Sequence, residues 1–107
     1  MTNLAKQTYA LLRKVPRGRV TTYKALADAL GVKAYRAIGQ ILKHNPDAPN
    51  TPCHRVVASD GTIGGFMGQS SGAAIQKKIQ MLQNEGIKIK GGKILQFNHV
   101  LFTFPTS

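Results

Sequence analysis

The sequence predicts a mainly α domain with a small β-hairpin, arranged as a winged helix-turn-helix-like unit. Three observations predict it. Apolar residues recur at helical spacing in four stretches of the chain. Gly31 separates the second stretch from the third, as in two short helices joined by a tight turn. Near the C-terminus, two alternating segments flank Gly91-Gly92. The chain of 107 residues fits one domain, 1–107, with no repeat and no linker.

The elements follow in order. Residues 3–14 place Leu4, Thr8, Leu11 and Leu12 on one helical face, and Pro16 and Gly18 stop that helix. Arg17 and Arg19 bracket the turn and are free to reach phosphates. Val20-Thr21-Thr22-Tyr23 is an extended entry, with Thr22 as N-cap of a helix over Tyr23–Leu30. Leu26, Ala27 and Leu30 form its buried stripe. Gly31 sits where a left-handed cap is needed. A third helix is expected from Lys33 to about His44, with Ala34, Ala37, Ile38, Ile41 and Leu42 turned inward. Its opposite face carries Arg36, Gly39, Gln40 and Lys43. A glycine inside a helix costs about 1 kcal/mol relative to alanine, and on a cationic face it permits close approach by another backbone. Residues 45–52 form a loop by composition. Val56-Val57-Ala58 is a short strand or turn, and Ser59-Asp60-Gly61 a turn. Ile63 to Gly72 reads as a mobile glycine-rich flap. A last helix over 73–85 buries Ile75, Ile79 and Leu82, with Gly86 as C-cap. Ile87–Lys90 and Lys93–Phe97 make the hairpin, lysines outward, and the apolar tail from His99 to Phe104 lies on the core.

The charge names a class of partner. Fifteen Lys+Arg stand against four Asp+Glu, a formal net charge of +11. That excess predicts an anionic partner, with nucleic acid first and a membrane surface second. No apolar run approaches the length of a spanning helix. The N-terminus lacks a signal-peptide core. A single cysteine cannot form an internal disulfide, which suits a reducing, intracellular setting: cytoplasm in a prokaryote, nucleus in a eukaryote. One Cys and three His (His44, His54, His99) give no converging set of zinc ligands.

The one cysteine stands in Pro52-Cys53-His54-Arg55-Val56-Val57. Free cysteine is among the most buried residue types, and packing alone explains many of them. A thiol whose proton a histidine can draw off is also a candidate nucleophile. The carboxylate of Glu85 is expected in the last turn of its helix, the disfavoured end for an anion, which suggests an acid held for a partner.

These residues resemble a known family. Pro-Cys-His-Arg-Val-Val is similar to the active-site motif of the O6-alkylguanine-DNA alkyltransferases, the methylated-DNA–protein-cysteine methyltransferases. The motif is highly specific, and the resemblance covers roughly residues 4–97. It includes the helix-turn-helix, Asn45-Pro46 eight residues before the cysteine, and Glu85-Gly86 closing the last helix. Full-length members usually carry an additional N-terminal domain, and this chain resembles the C-terminal catalytic and DNA-binding domain alone.

The resemblance implies a DNA-binding domain and a set of roles. Cys53 takes an alkyl group from O6 of guanine in double-stranded DNA, with no cofactor and no metal. His54 acts on the thiol through a water, and Glu85 orients His54. Asn45 orders the turn between recognition helix and site. Tyr23 contacts the extruded nucleotide and donates to guanine N3. Arg36 enters the duplex where the target base was, in the minor groove, with Thr22, Tyr35, Ala37, Gly39, Gln40 and Lys43 along the DNA face. Carbonyls of Cys53 and Val56 take the guanine amino group. Phe66, Met67 and Gly68 line the pocket, and Lys78 lies near it. A monomer is expected.

Four departures from the family pattern stand out. Thr51 replaces an aliphatic residue and, valine-like in shape, is expected to have little effect. Tyr35 stands where a small residue commonly precedes the arginine. Phe66-Met67 replaces a tyrosine and a serine, and the connection around 69–72 is longer. An S-alkyl thioether resists hydrolysis and no second cysteine is present to resolve it, so one transfer per molecule is expected. Two rivals remain: an alkyltransferase-like protein that binds lesions without transferring the group, and a plain helix-turn-helix regulator.

Overall fold

α1 (Asn3–Leu12) starts where a hydroxyl can cap it: Thr2 Oγ1 accepts the Ala5 amide at 3.1 Å. These features come from a computed structural model, which describes residues 2–48, 50–66 and 71–104. α1 buries Ala5, Thr8, Tyr9 and Leu12. Thr8 is satisfied in the core by donating to the Leu4 carbonyl at 2.7 Å. The helix ends two residues earlier than expected. The Lys14 and Val15 amides bond three residues back, to Leu11 and Leu12, and turn the chain ahead of Pro16.

β1 (Thr21–Thr22) leads straight into α2 (Tyr23–Leu30), which has the bounds the sequence predicts. Thr22 Oγ1 accepts the Ala25 amide at 3.0 Å, and Gly31 closes the helix at φ 69°. α3 (Tyr35–Lys43) starts later than expected, because no side chain caps it at Ala34. Ala34 therefore lies outside the helix and is exposed, while Ile38 and Leu42 are buried and Ala37 and Ile41 half-buried. α2 and α3 form the expected helix-turn-helix, with α1 packed across both.

A 3₁₀ turn, Cys53–Arg55, runs into β2 (Val56–Val57). β2 pairs in parallel with β1, Thr21 opposite Val56 and Thr22 opposite Val57. Parallel neighbours need a crossover, and α2 and α3 supply it. The pairing sets Tyr23, the first residue of α2, just past Val57, and its side chain packs against the apolar cluster that includes Cys53. The C-terminal segment extends the same ladder. Val20 donates to Val100 at 2.9 Å, and Phe102 donates back to Val20 at 2.6 Å. The tail thus lies on the core as expected, with Phe104 buried.

The start of the glycine-rich segment is packed, contrary to the expectation of a free flap: Ile63 and Phe66 are both buried. α4 (Ala73–Asn84) ends at Glu85, so the C-cap is Glu85 and not Gly86, which follows it at φ 91°. β3 (Ile89–Lys90) and β4 (Lys93–Ile94) form the predicted antiparallel hairpin, with Lys88, Lys90 and Lys93 exposed. Its second strand is shorter than expected, because Gln96 takes a left-handed conformation and α5 (Phe97–Val100) follows.

Two apolar clusters hold these pieces. Leu12, Val15, Leu26, Ile38, Leu42, Val56, Phe66 and Phe104 surround Cys53 beneath the helix-turn-helix. Val20, Val57, Ile63, Leu82, Ile87 and Ile94 join α4 to the hairpin. Among the described residues no helix is long and apolar enough to cross a membrane.

Candidate active site

The loop before the cysteine is built from one asparagine and one threonine. Asn45 follows α3 and donates from Nδ2 to the Thr51 carbonyl at 2.7 Å, while its Oδ1 accepts the Asp47 amide at 3.0 Å. The Thr51 carbonyl also accepts the Cys53 amide at 2.9 Å. A single carbonyl thus joins the end of α3 to the cysteine. The Thr51 side chain is fully buried, and its hydroxyl accepts from Arg13 Nε at 3.0 Å and donates to Asp47 Oδ2 at 3.1 Å. A valine could do neither, so the expectation of valine-like behaviour at Thr51 is corrected.

Cys53 opens the 3₁₀ turn and is buried, with Tyr23 packed against its cluster. His54 is 2% exposed. Its Nε2 meets Glu85 Oε2 at 2.8 Å, whereas Nδ1 is buried with no partner among the described residues. A carboxylate accepts, so Nε2 carries the proton and Nδ1 keeps its lone pair. Burial lowers the pKa of His54, and the Glu85 hydrogen bond only partly offsets this, leaving a neutral imidazole at pH 7. For Glu85, burial alone would raise the pKa. Hydrogen bonds from Arg55 and His54, together with the Arg55 charge, outweigh it and hold the carboxyl below its usual range.

Arg55 is the residue that sequence reasoning missed. Its Nε and Nη2 clasp the two Glu85 oxygens at 2.8 and 2.9 Å, and Nη1 donates to the Val15 carbonyl at 2.8 Å. The signal was available: a carboxylate expected at a helix C-terminus needs a cation, and the motif holds one. Arg17 was expected to be free for phosphates. Instead its Nη2 donates to the Asn84 carbonyl at 2.8 Å and closes α4.

Lys78 lies beneath the site and is fully buried. Its ammonium donates to the carbonyls of Val56, Ile63 and Gly65 at 2.7, 2.6 and 2.8 Å. All three protons are used, so Lys78 braces the backbone around these three residues and has no donor left for a ligand. Burial pushes its pKa down to about 8, against a smaller opposing influence of Cys53. The Val56 carbonyl keeps a second lone pair, as does that of Cys53, which accepts the Val56 amide. Phe66 is buried in the Cys53 cluster. Met67 and Gly68 lie outside the described residues, as do Gln69 and Ser70. Gly64, at φ 72°, has the Ala58 amide and the Tyr23 ring within 4 Å of where a Cβ would stand. Burial and the nearby Cys53 both raise the pKa of Tyr23, so its phenol keeps its proton.

The outer face of α3 matches the pattern read from the sequence. Tyr35, Arg36, Gln40 and Lys43 are exposed, and Ala37 and Gly39 half-buried. A Cβ added to Gly39 would meet nothing within 4 Å. Thr22 differs, being buried with its hydroxyl committed to the α2 cap.

Comparison with known proteins gives this arrangement its context. A bifunctional methyltransferase/endonuclease from Picrophilus torridus is 43% identical over 108 residues, covering 96% of this chain and 35% of that protein. A methylated-DNA–protein-cysteine methyltransferase from Saccharolobus islandicus is 43% identical over 76 residues, covering 71% of this chain and 46% of that one. The chain therefore spans between a third and a half of the length of these curated relatives. Among solved structures, Schizosaccharomyces pombe Atl1 in complex with damaged DNA containing O6-carboxymethylguanine matches with a TM-score of 0.81 at 28% identity, covering 96% of this chain and 97% of that one. The family model for the DNA-binding domain of 6-O-methylguanine DNA methyltransferase matches residues 3–87. With its helix-turn-helix and its Cys-His-Glu constellation inside that span, the chain belongs to the 6-O-methylguanine DNA methyltransferase family.

Proposed function

We propose that this chain is a catalytic and DNA-binding unit, one domain over residues 1–107, that removes an alkyl group from O6 of guanine in duplex DNA. The observation that carries the reading is the buried His54 beside Cys53, locked by Glu85 through Nε2 and left with a free lone pair on Nδ1. The imidazole draws the thiol proton through one bridging water. The thiolate attacks the alkyl carbon in line, the S–C bond forms as the C–O6 bond breaks, and the electron pair returns to the purine. Tyr23 donates to N3 as that charge develops, which lowers the barrier for the leaving base. The net proton lost by the thiol is gained by guanine, and the product is a thioether.

Docking falls to the outer face of α3. Arg36 enters the duplex from the minor groove in place of the extruded guanine, and Ala37, Gly39, Gln40 and Lys43 follow the groove wall. Extrusion is required because O6 is out of reach inside the stack. Thr22 supports this face indirectly, by capping the helix that presents Tyr23. Val56 and the segment from Phe66 through Met67 and Gly68 hold the flipped base, and Lys78 holds the carbonyls of Val56, Ile63 and Gly65 beside them.

Intact-protein mass after incubation with an O6-methylguanine duplex tests the reading. One methyl group on Cys53 per molecule is expected, with none on Cys53→Ala. Repeated turnover, or an adduct at another residue, would overturn it. The Atl1 likeness, which covers both chains almost completely, favours a second reading as a lesion binder that does not transfer. That reading predicts lesion-dependent binding with no mass change.

A further inference from the structure

A cleft of about 410 Å³ is lined by Tyr23, Lys24, Tyr35, Ala58 and Ser59. Two tyrosines line it from the first residues of α2 and α3, and Ala58 and Ser59, just past the end of β2, complete the lining. Tyr23 is the shared wall, since it also packs against the cluster that contains Cys53. Tyr35 is 46% exposed, a large aromatic surface at the start of α3 and directly before Arg36. Lys24 stands at the rim. Its exposed ammonium is tied at 2.6 Å to Asp28, one turn on, and remains available to solvent and to phosphate.

We propose that Tyr35 and Tyr23 form an aromatic slot for a nucleobase flanking the lesion on the same strand, with Lys24 on its phosphate. The inference rests on the alkyltransferase reading and adds a contact to it. Every base offers a π-face, so an exposed aromatic wall binds bases with little sequence preference. The cleft is apolar within and cationic at its rim, the complement of a base joined to a phosphate. Its place next to Arg36 is also apt. An arginine that replaces an extruded base leaves the neighbouring base unstacked on one face, and a tyrosine one residue earlier can cover it.

The test uses a duplex with 2-aminopurine next to O6-methylguanine, titrated with the intact chain and with Tyr35→Ala and Tyr35→Phe. The wild type and Tyr35→Phe should quench the 2-aminopurine emission on binding. Tyr35→Ala should bind about ten-fold more weakly and lose most of the quenching. Circular dichroism of Tyr35→Ala is expected to match wild type, because the side chain is exposed. Equal affinity and equal quenching in Tyr35→Ala would overturn the slot. Tighter binding by Tyr35→Ala would overturn it as well, by showing that the ring obstructs the groove. A wild-type chain that neither binds the lesion duplex nor gains a methyl group would instead overturn the alkyltransferase reading, and this inference with it.

Discussion

The arginine of the Pro-Cys-His-Arg stretch is as deeply committed as the cysteine. Its guanidinium spans both oxygens of Glu85 and reaches Val15, so one side chain ties the 3₁₀ turn to the end of α4 and to the turn that follows α1. A lysine offers a point charge and cannot make the paired contact. Arg55→Lys should lose about 2 kcal/mol of stability, the scale of a hydrogen bond to a charged group. It should also slow transfer, because Glu85 then holds His54 less firmly. Urea unfolding and a single-turnover assay would measure both, and a stability change under about 0.5 kcal/mol would refute the brace. The sequence made Cys53, His54 and Glu85 legible as a group through the family resemblance. It left Arg55 without a role, because its partner is thirty residues away and only the need of a helix-end carboxylate for a cation pointed to it. The Thr51 hydroxyl was hidden by distance along the chain as well: Arg13 comes to it from the end of α1.

At the scale of elements, caps made the bounds of the helix-turn-helix legible. α2 carries a threonine at one end and a glycine at the other, and both of its bounds were predicted. α3 has no capping side chain, and its start was placed two residues early. The two-residue strands show no periodicity, so the parallel pairing of β1 with β2 could not be read, although it is what places the start of α2 at the end of β2. Ile63 and Phe66 stand alone among glycines and looked like parts of a free flap, yet both are core. The outer face of α3 carries the prediction at this scale. Gly39 is inside the helix with open space where a Cβ would stand. Gly39→Ala should therefore stabilise the fold by about 0.5–1 kcal/mol. The same methyl group would stand between the helix and a docked groove wall, so duplex affinity should fall. Thermal unfolding and fluorescence anisotropy on a labelled duplex give the two signs. A variant that is both more stable and equally tight would show that this face is not the docking surface.

For the whole molecule, charge is distributed so that the acids are occupied. Asp28 pairs with Lys24, Asp47 with Thr51, Asp60 with Thr62, and Glu85 with His54 and Arg55. None of the four stands on the outer face of α3, and the +11 excess is left to face a polyanion. The buried groups set how stability should respond to pH. His54 and Glu85 both have folded pKa values below their unfolded ones, so between the two values of each group the unfolded state binds more protons than the folded state. Stability should fall as pH drops below about 6.5, first through His54 and then through Glu85. Lys78 acts at the other end. Its folded pKa is about 8, against roughly 10.4 for an unfolded lysine. Below pH 8 the ammonium is charged in both states and its burial is a standing cost. Between about 8 and 10 the folded state has shed a proton that the unfolded state still holds, so stability should rise, by at most about 1.4 kcal/mol per pH unit. Tyr9 and Tyr23, both held above the usual phenol range, oppose the rise only as pH nears about 10, where the unfolded phenols begin to ionise. Urea midpoints at about pH 7, 8 and 9.5 should therefore climb for the wild type and stay level for Lys78→Met, which removes the titrating group while keeping most of the side-chain volume. A wild-type curve that is flat or falling across this range would mean that the three carbonyls hold the Lys78 proton at alkaline pH, and that its burial carries no such cost.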